Sequence, residues 1–223
     1  MTPLAADLMA EPVRDGATVM LLRDRADAGQ PLEVLMLRRH PRTAFGDIWA
    51  FPGGVVEATD ELDHTAAAPV DDALASRRLG LAVGGGGFWA AALRETEEET
   101  GLQLRPADLH YFSHWITPVG APKRFDTRFF VARAPEGRHA HDEREHTDST
   151  WIAPLAAIAR HRSGTFEMIL PTIRNLEAIG RFPTVDALLA AVAATEEPRG
   201  VDDGGGWRVL LPGDPGHPEE VAR

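Results

Sequence analysis

Near-continuous apolar positions bounded by polar ones mark two short runs near the start of the chain as buried strands. These are Ala17 to Arg23 (ATVMLLR) and Glu33 to Leu37 (EVLML). The polar stretch DRADAGQP between them supplies a hairpin-like turn. Residues 1–15 read as a flexible tail. After the hairpin, RRHPRTAFGDIW leads into a short apolar strand and then AFPGGVVEATD, where Pro52, Gly53 and Gly54 predict a tight turn. From about Glu61 to Gly87 the pattern dissolves into weak helix and a flexible glycine run, GGGG at 84–87. Helical spacing returns from Phe88 to Thr100 and stops at Gly101, the favoured position just past a helix end.

Further along, Leu109 to Ile116 and Phe125 to Arg133 predict strands. An acidic, histidine-rich loop, RHAHDEREHTDST, precedes a short strand at Trp151 and Ile152. Helices are expected at Pro154 to Arg160, around Met168 to Ile179 and at Thr184 to Ala194, with a last strand in GGGWRVLLPGDPGHP. Strands and helices are interspersed without regular alternation, which predicts an α/β fold with a mixed sheet covered by helices. The chain has 223 residues, and domain-size priors favour a single domain over 16–223, with 184–223 as a C-terminal helix and strand extension.

Composition narrows the possible partners. With 23 basic against 34 acidic residues, the net charge of −11 argues against a sequence-independent grip on nucleic acid. The chain has no cysteine, which excludes a disulfide frame, a thiolate nucleophile and cysteine-ligated zinc. The N-terminus lacks a basic start followed by a long apolar run, and Val185 to Ala194 is too short to span a bilayer. No membrane partner is expected, the expected location is the cytoplasm, and a homodimer is compatible with the sequence.

The chemistry concentrates in WAAALRETEEETGL, from Trp89 to Leu102. This helix crowds carboxylates toward its C-terminal end, where the macrodipole favours cations. At about 100° per residue, Glu95, Glu98 and Glu99 share one face while Glu97 points away. Taken alone, such a run is usually a solvated acidic face. A bound hard cation would reverse both the mutual repulsion and the dipole penalty, and carboxylate oxygens suit Mg²⁺ or Mn²⁺. Arg94, one turn before Glu98, can orient it by a charge-assisted hydrogen bond.

These residues resemble the Nudix box, G-x5-E-x7-R-E-U-x-E-E-x-G-U with U aliphatic. Arg94, Glu95, Glu98, Glu99, Gly101 and Leu102 match its second half, with Thr96 at an aliphatic position. The first half begins at Gly54, and its acidic position falls on Asp60 in place of Glu. In this chain 33 residues separate Asp60 from Arg94, against 7 in the motif, so 26 additional residues, within the 61–87 segment, split the box. The resemblance, covering roughly 16–183, implies an α/β/α sandwich around a mixed sheet. It also implies hydrolysis of nucleoside diphosphates linked to another moiety, with Mg²⁺ or Mn²⁺ and water. Carried over residue by residue, Glu95, Glu98 and Glu99 are metal ligands, joined by the backbone carbonyl of Gly53 or Gly54, and Arg94 orients them. Glu145, then Glu143, is the candidate loop ligand or general base. His139, His141 and His146 are irregularly spaced for a zinc site.

LMLRRHPRTAFGDIWAFPGG, HWITP, RFDTRFFVA and LPGDPGH together resemble the coenzyme A diphosphatase branch of Nudix proteins with an insertion inside the box. The branch implies cleavage of coenzyme A to 3′,5′-ADP and 4′-phosphopantetheine, with Arg38, Arg39 and Arg42 as candidate phosphate contacts. Gly46 is one residue out of step with that branch's pattern, and Arg42 only approximates its basic position. The alternatives are the same chemistry on ADP-ribose, NADH or another dinucleotide, and a non-catalytic nucleotide-binding module. The 61–87 segment reads equally as a lid over the site or as a surface excursion.

Overall fold

The computed structural model describes residues 13–25, 32–42, 46–62, 70–117, 123–194, 200–202 and 207–209. Its centre is a seven-stranded mixed sheet. Strands β1 (Val13–Asp24) and β2 (Leu32–Arg39) pair antiparallel, as the hairpin reading expects. The connecting residues 26–31 lie outside the described set. The edge strand β3 (Trp49–Ala50) pairs with β2, and β4 (Gly53–Val55) pairs with β1. Two helices follow, α1 (Asp72–Leu79) and α2 (Gly85–Thr100). Strand β5 (His110–Ile116) runs antiparallel to β6 (Arg124–Arg133), which lies parallel to β1, and β7 (His146–Ile152) pairs with β2. The chain continues through α3 (Pro154–Arg162), α4 (Leu170–Ile179) and α5 (Val185–Ala194) to a separate pair, β8 (Gly200–Asp202) and β9 (Trp207–Val209).

Strand periodicity explains the layering. Successive side chains of β1, β2 and β6 point to opposite faces. Met20, Leu22, Val34, Met36, Phe129 and Val131 join one core with residues of α3, α4 and α5. Ala17, Val19, Leu21, Leu35, Leu37, Phe130 and Ala132 join the other with α1 and α2. A sheet covered on both faces needs near-continuous apolar strands, which accounts for ATVMLLR and EVLML. On the α2 side, Trp89 is fully buried with its ring edge-on to Phe130, the centroids 4.6 Å apart.

Several elements depart from the pattern reading. The first strand begins at Val13, where its ladder with β6 starts, so residues 13–15 belong to the sheet, and residues 1–12 lie outside the described set. Strand β7 begins at His146, taking in residues that read as loop, because the ladder with β2 extends to Arg39. The C-terminal helix α5 is built into the core through Val185, Leu188 and Val192. Its first turn is held by Asp24, which accepts the Val185 N–H at 2.9 Å. Among the described residues no helix is long and apolar enough to cross a membrane.

The largest departure is the glycine run. Gly85, Gly86 and Gly87 form the first turn of α2, three residues ahead of the expected start at Phe88. Helix N-termini expose unpaired N–H groups, and here α1 supplies the acceptors. Asp72 accepts from Gly86 N at 2.8 Å and from Gly84 N at 3.3 Å, and Ser76 Oγ accepts from Gly85 N at 2.8 Å. Gly85 lies directly against the Ala75 and Ser76 backbone, where a Cβ would collide. Glycine is therefore used for close helix–helix approach, and the second part of the 61–87 segment is an ordered helical layer, with Val70, Ala75 and Leu79 in the core. Residues 63–69 fall outside the described set.

The Gly85→Ala substitution is therefore expected to lower unfolding free energy by about 1–3 kcal/mol through overpacking against α1, measured by urea denaturation.

Candidate active site

Strand β4 and helix α2 meet at two glycines. Gly53 N–H donates to Glu99 Oε2 at 2.8 Å. A Cβ on Gly53, whose φ is 154°, would strike Ala17 O and Thr18 of the neighbouring strand. At Gly54 the space of a Cβ is filled by the Glu95 carboxylate. The expected tight turn at FPGG is thus a sheet strand: Thr18↔Gly53, Ala17↔Gly54 and Gly16↔Val55 are in register. The glycines are needed because β1 crowds them from one side and helix carboxylates from the other. The Gly54 carbonyl oxygen is directed to β1, 3.3 Å from where a Cβ of Gly16 would stand.

Arg94 ties the site together. Its Nε and Nη2 each donate to one oxygen of Asp60 at 2.9 Å, a two-pronged charge-assisted pair. Its Nη1 reaches Glu95 Oε1 at 2.8 Å and Glu98 Oε2 at 3.2 Å, and Nη2 also donates to the Val55 carbonyl at 3.1 Å. One guanidinium thus joins β4, the residue that ends its connecting turn, and two helix carboxylates. Burial works to raise the Asp60 carboxyl, but the Arg94 hydrogen bonds outweigh it and hold the group below its ordinary range. The same bonds, Asp60's first, raise the arginine further above its usual value.

The carboxylates divide by environment. Glu97 is exposed and accepts from Gln103 Nε2 at 2.7 Å, matching its expected position off the shared face. Glu98 is largely exposed, with 59% of its side chain accessible, whereas Glu95 is at 14% and Glu99 at 4%. Burial raises the Glu95 carboxyl despite the opposing Arg94. Burial pushes Glu99 up to about 8, only partly relieved by the Gly53 N–H, and Glu95 and Glu145 add repulsion. Among the described residues no group of three or more His, Asp or Glu side chains stands in an arrangement ready to hold a metal. Two of the helix glutamates are turned to Arg94 instead.

The loop from 138 to 145 is stitched to the end of α2. Ala140 N–H donates to Thr100 O at 3.0 Å and Asp142 N–H to Glu99 O at 3.3 Å, while His40 N–H donates to Glu145 O at 2.6 Å. These bonds occupy helix C-terminal carbonyls and set the Glu145 charge within reach of Glu95 and Glu99. Glu143 is exposed on the same loop. Thr96, at the aliphatic position of the pattern, is fully buried, and its hydroxyl donates to Ala92 O at 2.7 Å, which satisfies it inside the helix.

The histidines and arginines are spread over several elements. His139 and His141 both lie 3.1 Å from Ser149 Oγ, and His139 Nδ1 accepts from Trp151 Nε1 at 3.2 Å, so they belong to a hydrogen-bonded chain along β7. His146, buried at the start of β7, faces Glu99, with Nε2 3.5 Å from Oε1. Burial, then Arg39, lowers it to about 4, so the ring is neutral at pH 7 and the contact is no ion pair. Nothing local in the sequence marks this residue, because the partner comes from another element. Arg39 acts on Glu99 and His146, which places it on the α2 side of the sheet. Arg38, one residue earlier, follows Val34 and Met36 to the opposite face, and its Nη2 pairs with Asp47 at 2.6 Å. Arg42 sits exposed in the following turn. Arg38 and Arg39 therefore stand on opposite faces of the sheet.

The shifts give a signed pH dependence for the metal-free protein. Glu99 binds its proton more tightly folded than unfolded, so its contribution to stability declines as pH rises through about 8. His146, lowered to about 4, makes the opposite contribution, which is complete above its ordinary 6.5. Between pH 6.5 and 8 the Glu99 decline stands alone. Urea unfolding in EDTA is expected to show stability falling across that window, and Glu99→Gln is expected to flatten the fall.

Residues 78–170, which hold α2, the stitched loop and β7, match the model of the NUDIX domain. Among solved structures, the chain is similar to the NUDIX hydrolase from Alicyclobacillus acidocaldarius, at 24% identity over 82% of this chain and 97% of that chain, with a TM-score of 0.64. It also aligns with the MutT NUDIX hydrolase from Burkholderia pseudomallei, at 20% identity over 65% of this chain and 85% of that one, with a TM-score of 0.45. No curated protein matches. The chain thus carries a match to the NUDIX domain over residues 78–170, on a fold similar to that of a Nudix hydrolase.

Proposed function

We propose that the protein is a metal-dependent pyrophosphohydrolase that opens a nucleoside-diphosphate linkage by water attack on phosphorus, with coenzyme A or an acyl derivative as the favoured substrate. The observation that carries the reading is the Arg94–Asp60 pair. Asp60 occupies the acidic place of the split pattern and is bound by the arginine of the other half, 34 positions away. Residues 61–87 are thus read as an insertion that leaves both halves of the box joined, with α1 packed beside them. The 26 added residues lengthen the chain without separating the two partners.

Glu95, Glu98 and Glu99 are the residues that would hold Mg²⁺ or Mn²⁺; the Gly54 carbonyl, directed to β1, stands outside that set. The donor set fits such an ion chemically: all are oxygens, and burial and mutual repulsion hold Glu95 and Glu99 above the usual carboxylate range. A divalent ion, when bound, neutralises the pyrophosphate and makes water a better nucleophile. The protein's own share is orientation and proton handling. Arg94 directs Glu95 and Glu98, and Glu145 is the preferred base because its charge already acts on both buried glutamates. Arg39, on the α2 side, is the arginine best placed for a phosphate, while Arg38 and Arg42 would act farther out. The coenzyme A reading itself rests on the resemblance of HWITP and RFDTRFFVA.

A substrate panel with Mg²⁺ or Mn²⁺, with products resolved by mass, tests the reading. Release of 3′,5′-ADP from coenzyme A is the expected result. Cleavage of ADP-ribose or NADH instead would move the substrate, and no turnover of any member would favour a binding module. Glu98→Gln is expected to reduce turnover at least about 100-fold, the size of a lost transition-state contact. Because Glu98 is exposed, its melting temperature should stay unchanged.

A further inference from the structure

The Glu99 carboxylate is held between two strands, β4 and β7. Oε2 accepts the Gly53 N–H from β4 at 2.8 Å. Oε1 faces β7, where His146 Nε2 stands 3.5 Å away. Both residues are buried, Glu99 at 3% and His146 at 2% exposure. His146 Nδ1 is buried with no hydrogen-bond partner. A proton on that nitrogen would be a bare buried donor, whereas a proton on Nε2 has a carboxylate oxygen 3.5 Å from its nitrogen. The tautomer that leaves less unsatisfied is therefore the one that faces Glu99. The backbone also fixes the ring's place: His146 pairs with Arg39 of β2, and its N–H donates to Asp142 O at 2.9 Å, closing the loop that covers the end of α2.

We propose that His146 is a positioning residue for Glu99, donating from Nε2 to Oε1 and so setting the rotation of the carboxylate that the site offers to a divalent cation. A carboxylate pinned on one oxygen alone can swing about that contact. Pinned on both, from opposite strands, it keeps its remaining lone pairs on one side. Partners that orient a metal-binding group in this way typically change metal affinity 10- to 100-fold when removed. The inference rests on the metal-dependent reading of the site.

Mn²⁺ binding, followed by electron paramagnetic resonance on the full chain without nucleotide, separates the two. His146→Leu, which keeps bulk and removes the donor, is expected to weaken Mn²⁺ by about tenfold or more. His146→Gln, whose amide N–H can take the place of Nε2–H, is expected to restore most of that affinity, with thermal melts checking that each variant is folded. Parent-like Mn²⁺ affinity in folded His146→Leu would overturn the proposal, as would a folded His146→Gln no better than His146→Leu. Glu99→Gln is the control for the underlying reading. Parent-like Mn²⁺ binding in that variant would remove the metal role of Glu99 itself, a failure distinct from loss of the histidine's role alone.

Discussion

The guanidinium of Arg94 meets five acceptor oxygens contributed by Val55, Asp60, Glu95 and Glu98. The rest of the site depends on it. The Asp60 side chain is only 5% exposed, and a buried carboxylate without a counter-charge is strongly destabilising. Glu95 and Glu98, one turn apart on a single face, repel each other unless a cation stands between them. Arg94 answers both demands from one position and anchors the connection leaving β4. That connection can then carry α1, because its near end is already fixed at Asp60.

The same economy resolves the anomaly of a helix whose C-terminal turn is acidic. The dipole penalty is local and comes from carbonyls without partners. Here Gly101 N–H takes Glu97 O, while Asp142 and Ala140 of the covering loop take Glu99 O and Thr100 O. Glu99, the deepest of the acids, gains the Gly53 N–H from the sheet. What is left uncompensated is the repulsion among Glu95, Glu99 and Glu145, which is where a hard cation would act.

Much of this was legible in the sequence because it is periodic. The β1–β2 hairpin, the strands β5 and β6, and the body of α2 follow from apolar spacing, and the off-face position of Glu97 follows from helix geometry. The misreadings share one cause, a local pattern overruled by a distant partner. GGGG signals flexibility until Asp72 and Ser76 of α1 are seen to cap it. FPGG signals a turn until the glycines are seen as the thin place where a helix presses on a strand. Arg38 and Arg39 look like neighbours, yet strand alternation sends them to opposite faces. His146 has no sequence signature at all, since its meaning lies in a contact with Glu99 across the layer. The Asp60–Arg94 pair was visible only through the resemblance to a split box.

The site holds together only if Asp60 and Arg94 act as one unit across the intervening chain. A double-mutant cycle on unfolding free energy, using Asp60→Asn, Arg94→Gln and the pair, measures that directly. The geometry predicts a coupling of about 1 kcal/mol or more, with the double variant far less damaged than the sum of the single ones. Additivity within about 0.5 kcal/mol would mean that the two halves of the site are not joined through this pair.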